Sequence, residues 1–205
     1  MQNFVIKPND FLKQDIQAFY HTDYFGHLRP ENPDYINTLK NTYNSFSDSM
    51  LNDAVQELRS VLLEDLPQIL GEAKLNSLTV CVVPRAKTNY QPNQLLFKTT
   101  VRNVVGQLNN FIDGTDYIIR HTNTRTTHLP YNTPNYKNDG RKPYPGITKD
   151  TCNISYNVRE KNILLIDDLY TRTVNIDEDA IQSLLDNGAR FVIFYAVGKT
   201  VPNRS

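Results

Sequence analysis

Cysteine, net charge and long apolar runs are scarce in this sequence, and each scarcity excludes a class of protein. Two isolated cysteines, Cys81 and Cys152, provide no disulfide framework, and they predict free thiols in a reducing cytoplasm. Zero formal net charge gives no overall field that would favour nucleic acid or an anionic membrane. No apolar stretch approaches the ~20 residues of a membrane span, and the first residues lack the apolar core of a signal peptide. We therefore expect a cytoplasmic protein that does not enter membranes.

The later part of the 205-residue chain alternates the patterns of strands and helices. Short runs that are apolar throughout predict strands buried on both faces of a sheet. Residues 163–166 and 191–197 are runs of this kind, and the apolar and β-branched residues of 78–84 and 117–120 predict two further strands. Amphipathic patterns predict one helix over residues 93–108 and another between the last two strands. This alternation predicts an α/β fold with a mostly parallel sheet flanked by helices.

The N-terminal part of the chain follows a different pattern. Apolar residues recur at spacings of three and four over residues 51–69, which predicts a long helix. We expect residues 1–75 to form an N-terminal helical extension to an α/β core at residues 76–205. The aromatic side chains of residues 20–25 would belong to a hood over the site, to a packed core or to a dimer contact. Residues 121–158 are rich in proline and glycine and predict a long flap.

Two carboxylates, Asp167 and Asp168, directly follow the third apolar run. Ligands of parallel sheets bind at the carboxyl ends of the strands, and we expect these two side chains to lie there. Adjacent carboxylates are costly to hold together unless they meet hydroxyl groups, a metal or a cation. The acid pair, Asp167 and Asp168, therefore predicts a binding site, with a solvated acidic turn as the alternative.

Residues 163–175, ILLIDDLYTRTVN, resemble the phosphoribosyl diphosphate (PRPP) signature of the type I phosphoribosyltransferase superfamily. That signature has four apolar residues, two acids, two variable residues and a threonine-rich phosphate loop. The chain looks most like the ComF or amidophosphoribosyltransferase-like group, because residues 167–171 keep the order Asp-Asp-x-Tyr-Thr. The resemblance is good over the last fifth of the chain, patchy over residues 78–154 and undetectable before residue 78. It implies a type I phosphoribosyltransferase-like fold.

The resemblance also implies an activity and a site. The activity would be transfer of a pentosyl group, with PRPP as the small-molecule donor, Mg²⁺ as the cofactor and an acceptor that the sequence does not identify. The catalytic residues Asp167 and Asp168 would bind the ribose hydroxyls and reach the metal only indirectly, through PRPP. The loop after them would wrap the 5-phosphate at a helix N-terminus. Its members are Thr171, Arg172, Thr173, Val174 and Asn175.

A second segment of the predicted site follows the first apolar run, where the superfamily has its pyrophosphate loop. Arg85, Ala86 and Lys87 would face the departing pyrophosphate, whose charge grows in the transition state. The alternative is a turn with two exposed basic residues. Arg120 and Tyr170 are candidates for the rim or flap of the site. Arg120 would contact pyrophosphate, contact a base or pair with the acid pair.

The phosphate loop departs from the pattern of the superfamily. Arg172 and Thr173 stand where Thr and Gly are usual, and if that glycine needs a positive φ, the replacement costs roughly 1–2 kcal/mol. Asn175 and Glu178 predict a capping box, and the acids at positions 177–179 would occupy the positive helix end that a phosphate needs. Arg172 would restore a cation with bidentate donors.

The atypical loop supports a hypothesis from a different functional class. A catalytically degenerate relative would keep the fold, bind a nucleotide or a protein partner, and act as a regulator or accessory factor in competence or phage defence. Either protein would be compatible with a homodimer. In a third hypothesis, the basic and aromatic residues of segment 125–141 stack on single-stranded nucleic acid. Zero net charge argues against that hypothesis.

Overall fold

The computed structural model describes residues 1–25 and 29–201, and it has eight strands and five α-helices in those ranges. The strands are β1 (Gln2–Ile6), β2 (Ile16–Tyr24), β3 (Leu78–Val82), β4 (Phe111–Asp113), β5 (Ile118–Arg120), β6 (Cys152–Ile154), β7 (Asn162–Tyr170) and β8 (Phe191–Thr200). The helices are α1 (Asp34–Lys40), α2 (Asp48–Glu72), α3 (Leu96–Val105), α4 (Ile147–Thr151) and α5 (Ile176–Asp186). Short 3₁₀ turns lie at Pro92–Gln94 and Tyr156–Val158.

Six strands form the main sheet, in the order β1-β2-β8-β7-β3-β4, and every neighbouring pair except β1-β2 is parallel. Helices cover both faces of this sheet. The expected α/β fold with a mostly parallel sheet flanked by helices is confirmed. The apolar runs in β3 and β7 are buried throughout, because each strand has a neighbour on both sides and a helix layer on both faces.

The two helix layers come from connections that run in opposite directions from the middle of the sheet. The chain leaves β3 through α3, which packs on one face together with α2, and reaches β4. It leaves β7 through α5, which packs on the other face, and reaches β8. Strands β4 and β8 lie on opposite sides of the β3–β7 pair. The carboxyl ends of β3 and β7 are therefore a topological switch point, the position where open α/β sheets bind ligands.

The N-terminal segment differs from its prediction. Helices α1 and α2 are present, but residues 2–24 are mostly strand, and β2 pairs in parallel with β8 inside the main sheet. The expectation of a helical extension over residues 1–75 is therefore wrong for its first third. Strand β2 lies between β1 and β8, and its aromatic side chains are buried. Their positions show no clear alternation along the strand. Residues 26–28 of the expected hood and 202–205 of the expected core lie outside the described residues.

The expected flap at residues 121–158 contains more regular structure than its proline and glycine content predicts. It holds α4, β6 and a 3₁₀ turn, and β6 pairs antiparallel with β5 in a separate two-stranded sheet. The apolar run at residues 117–120 does form β5, but the place beside β3 in the main sheet belongs to β4. Strand β4 was not expected, because three residues are too few to show a period.

No helix in residues 1–25 and 29–201 combines the length and the apolar character that crossing a membrane requires.

The packing of α2 on the sheet gives a first testable prediction. Leu66 is fully buried against the sheet, whereas Met50, in the same helix, is 50% exposed. We expect Leu66→Ala to lower the free energy of unfolding by about 2–5 kcal/mol through lost burial and a cavity. Met50→Ala should change it by less than about 0.5 kcal/mol. Urea unfolding followed by circular dichroism measures both values, and equal losses would contradict this packing.

Candidate functional site

A cleft of about 600 Å³ opens at the switch point, between the carboxyl ends of β3 and β7. One side is formed by the acid pair with the loop that follows it, and another by the segment after β3 and by residues 124–128. Eight of the residues expected at the site line this cleft: Arg85, Ala86, Lys87, Arg120, Asp167, Asp168, Thr171 and Val174. The cleft therefore brings the two expected loops together.

The acid pair belongs to β7 rather than to the loop after it. Strand β7 remains paired with β8 as far as Tyr170, but β3 ends opposite Ile166, where the Val83 N–H donates to the Ile166 carbonyl at 2.9 Å. Beyond that point one edge of β7 is open, and Asp167 and Asp168 lie along this open edge. The strand was expected to end at Ile166, but continued pairing with β8 keeps the backbone of the acid pair extended.

Lys40, the last residue of α1, is a neighbour of the acid pair that the sequence did not reveal. Its Nζ lies 3.7 Å from Asp168 Oδ1, and both side chains are mostly buried. The Asp168 backbone N–H donates to Asp167 Oδ1 at 2.8 Å. Helix α1 is separated from β7 by most of the chain, so no local pattern connects Lys40 with these carboxylates.

A third carboxyl group lies beside the acid pair. Asp177, in the first turn of α5, is 5% exposed and lines the cleft, and its Oδ1 has no hydrogen-bond partner among the described residues. Burial, together with the nearby Asp168 carboxylate, raises the pKa of Asp167 to about 7. Burial and Asp167 also raise the pKa of Asp177 well above its usual value. A hydrogen bond between the two side chains favours the proton on Asp177.

The other acids at the start of α5 bond away from the cleft. Glu178 Oε1 accepts from the Tyr170 hydroxyl at 2.8 Å, and the Asp179 carboxylate accepts from the Gly146 and Thr148 amides at 2.5 and 2.6 Å. The predicted capping box is wrong, because Asn175 has a φ of 61° and its side chain does not cap the helix. The first turn of α5 is instead fixed by contacts to distant segments.

Tyr170 does not lie on the rim of the site. Its ring is buried, with centroids 5.1 Å from Phe4 and 5.6 Å from Phe194, and its hydroxyl bonds to Glu178. Tyr170 packs on the face of the sheet that α5 covers, together with Ile163 and Leu165. Regular alternation from Ile166 would place it on the opposite face, so the alternation along β7 breaks at the acid pair. Its expected role at the rim is therefore wrong, and it supports the first turn of α5 instead.

The predicted phosphate loop forms a turn in which the Val174 N–H donates to the Thr171 carbonyl at 2.9 Å. Thr171 and Val174 line the cleft, whereas Arg172 and Thr173 are exposed and lie outside its lining. Within this loop only Asn175 has a positive φ, so Thr173 carries no left-handed strain. Asn175 also lies outside the lining and accepts from Asn9 Nδ2 at 3.1 Å. The atypical residues are thus compatible with the backbone but point no charge into the cleft.

The basic residues after β3 are largely occupied by the protein itself. Arg85 donates to the Gln94 and Lys40 carbonyls at 2.5 Å each. Lys87 Nζ donates to the Thr124 and Asp139 carbonyls at 2.9 and 2.7 Å and to Asp139 Oδ1 at 2.8 Å. The Asp139 carboxylate therefore neutralises Lys87. Only part of the charge expected for a pyrophosphate loop remains available.

Arg120 also lines the cleft, but it does not pair with the acid pair. Its Nε donates to the Arg85 carbonyl at 2.5 Å, and its Nη1 donates to Thr151 Oγ1 at 2.7 Å. Within residues 1–25 and 29–201 it forms no ion pair with Asp167 or Asp168. Of its three expected contacts, pairing with the acid pair is excluded in this structure.

No set of three or more His, Cys, Asp or Glu side chains in the described ranges is arranged to hold a metal ion directly. The acid pair does supply carboxylate oxygens, which suit Mg²⁺ when substrate phosphates provide further ligands. The residues therefore fit a metal that arrives with its ligand.

No protein-family model matches this chain, and no curated protein matches it. Membership of the phosphoribosyltransferase superfamily therefore stays a prediction from residues 163–175.

The buried carboxyl groups predict how stability depends on pH. Since the pKa of Asp167 rises from 3.8 to about 7 on folding, the folded protein keeps a proton that the unfolded chain loses between these values. The free energy of unfolding should fall as pH rises through this window, by at most about 4 kcal/mol. Asp167→Asn should therefore raise the melting temperature at pH 8 and leave it nearly unchanged at pH 4.

The matched control is Asp53→Asn, the same change at an exposed position of α2. It should shift the melting temperature equally at both pH values. Loss of stability in Asp167→Asn at pH 8, relative to the unchanged protein, would contradict the unfavourable burial of this carboxylate.

Proposed function

We propose that the cleft binds PRPP together with Mg²⁺ and that the protein transfers the phosphoribosyl group to an acceptor. The observation that carries this proposal is the position of Asp167 and Asp168 on the open edge of β7, at the switch point of the sheet. Two adjacent carboxylates accept hydrogen bonds from a pair of neighbouring hydroxyl groups, such as the 2- and 3-hydroxyls of a ribose. The resemblance of residues 163–175 to the PRPP signature supports the same ligand.

In the proposed reaction the acid pair orients the ribose and stabilises the positive charge that develops on its ring. The acceptor uses a lone pair to form a bond to C1, while the bond from C1 to the pyrophosphate oxygen breaks. Pyrophosphate leaves with that electron pair, and the proton of the acceptor passes to solvent. The ends of the Thr171–Val174 turn line the cleft beside the acid pair, where backbone amides of the turn would donate to the 5-phosphate.

Mg²⁺, when bound, supplies positive charge that neutralises the leaving pyrophosphate. Asp167 and Asp168 would hold it indirectly, through the ribose hydroxyls of the donor. The carboxyl oxygens that bind these hydroxyls are therefore required for both donor and metal.

A second candidate function, binding without transfer, is favoured by a specific observation. Lys87 is neutralised by Asp139, and Arg85 already donates hydrogen bonds to two backbone carbonyl groups. An enzyme that releases pyrophosphate needs cations that face it in the transition state. A degenerate relative needs only the acid pair, so it could bind a nucleotide and act on a protein partner as a regulator.

Calorimetric titration with PRPP and Mg²⁺ tests the proposed ligand. We expect micromolar binding by the unchanged protein and at least tenfold weaker binding by Asp167→Asn and by Asp168→Asn, since each loses a charged acceptor. The double variant should show no detectable binding. Asp53→Asn should bind as the unchanged protein does, because this side chain is exposed and lies outside the cleft lining.

The same proteins separate the two candidates. Release of pyrophosphate in an acceptor screen, lost in the double variant, would establish transfer. Binding of PRPP without release of pyrophosphate in the presence of any acceptor tested would favour the regulator. Unchanged PRPP affinity in the double variant would reject both candidate functions, because each depends on the acid pair.

A further inference from the structure

Six of the described lysine and arginine residues line the cleft, and their charges are compensated to different extents. The three lysines each have a carboxylate partner: Lys40 with Asp168 at 3.7 Å, Lys87 with Asp139 at 2.8 Å and Lys98 with Asp116 at 2.5 Å. A lysine whose charge is already paired adds little to the binding of an anion. The lysines therefore do not identify where an anionic group would bind.

The three arginines, Arg85, Arg120 and Arg125, have no carboxylate partner within the described ranges, and we call them the arginine wall. The guanidinium groups of Arg85 and Arg120 are held by hydrogen bonds, chiefly to carbonyl oxygens of the segments around them. Carbonyl dipoles fix the orientation of a guanidinium group without cancelling its full charge. The wall is therefore electropositive and faces a cleft that is open to solvent.

Arg125 differs from the other two members of the arginine wall because its donors are not occupied. Its Nε is buried and has no partner, and its guanidinium makes no hydrogen bond to any residue in 1–25 or 29–201. Its Cζ lies 4.6 Å from the centroid of the Tyr131 ring, which orients the plane without using an N–H group. Because Arg125 lines the cleft, its Nη groups are left to donate to an acceptor that enters the cleft.

The backbone that carries Arg125 is fixed before any ligand binds. The Thr124 N–H donates to the Ala86 carbonyl at 2.8 Å, and the Arg125 N–H donates to the Arg141 carbonyl at 3.0 Å. Lys87 Nζ holds the Thr124 carbonyl from the other side. The position of Arg125 is therefore preorganised, which reduces the entropy that binding would cost.

We propose that Arg125 binds the pyrophosphate group of the ligand, a role expected from the sequence for residues 85–87. The identity of the whole ligand rests on the proposed function, whereas the pyrophosphate site rests on the free donors of Arg125. A planar guanidinium group binds two phosphate oxygens at once, and Arg85 and Arg120 contribute positive potential behind it. Lys87 fixes the loops of the wall and does not contact the anion.

Calorimetric titration of the full chain with inorganic pyrophosphate tests the site. We expect binding by the unchanged protein that Arg125→Ala weakens roughly ten- to hundredfold, as loss of a charged bidentate contact implies. Arg125→Lys keeps the charge but not the bidentate geometry, so we expect an intermediate loss. The matched control is Arg141→Ala, in the same segment: Arg141 also stacks on a tyrosine, at 5.8 Å from the Tyr144 ring, but lies outside the cleft lining.

The outcomes distinguish this site from the proposed function. Pyrophosphate binding that depends on Arg125 without any PRPP binding would keep the site and reject PRPP as the ligand. PRPP binding that is unchanged in Arg125→Ala, or an unchanged protein that does not bind pyrophosphate, would overturn the site. If circular dichroism shows that Arg125→Ala does not fold, Arg125→Lys is the deciding variant. A pyrophosphate affinity of Arg125→Lys equal to that of the unchanged protein would reject the bidentate contact.

A titration with a single-stranded oligonucleotide distinguishes a site for a small anion from a surface that binds the phosphate backbone of a nucleic acid. The proposed site predicts that Arg141→Ala has no effect in either titration. Oligonucleotide binding that falls equally in Arg125→Ala and Arg141→Ala would overturn the proposal in favour of an extended basic surface.

Discussion

Strand β7 keeps its pairing with β8 through Tyr170, whereas β3 ends opposite Ile166. Every feature of the cleft depends on this difference in length. Because β3 stops first, the edge of β7 that carries the acid pair has no strand beside it, and a ligand can reach it. Because β8 continues, the same two residues keep an extended and rigid backbone. The opening is therefore built into the sheet and does not depend on a mobile loop.

The charges around the cleft are separated into two groups of opposite sign. Three carboxyl groups, Asp167, Asp168 and Asp177, crowd one side, and the arginine wall occupies another. Repulsion and burial within the first group disfavour a phosphate in direct contact with these three carboxyl groups. A ligand that places hydroxyl groups against the carboxyl groups and a pyrophosphate against the arginine wall satisfies both groups together.

The sequence was informative where a feature depends on neighbouring residues. The continuous apolar runs of β3 and β7 identified the buried parallel strands, and the acids after Ile166 identified the carboxyl end of β7 as the place of the site. Contacts between distant segments were not accessible in this way. Lys40 beside Asp168, Asp139 beside Lys87 and the burial of Tyr170 arise from tertiary packing alone. The N-terminal strands were missed because buried aromatic residues on an edge hairpin show no simple period.

The contact of Asp179 with the Gly146 and Thr148 amides has a consequence for the order in which the chain folds. Helix α4 has five residues and no side-chain cap of its own, and a helix this short does not form in isolation. The carboxylate that binds its first amides comes from α5, which connects β7 to β8 and packs on one face of these paired strands. We therefore expect α4 to become ordered late, after β7, α5 and β8 have assembled. During synthesis, α4 would therefore stay disordered until residues 162–200 have left the ribosome.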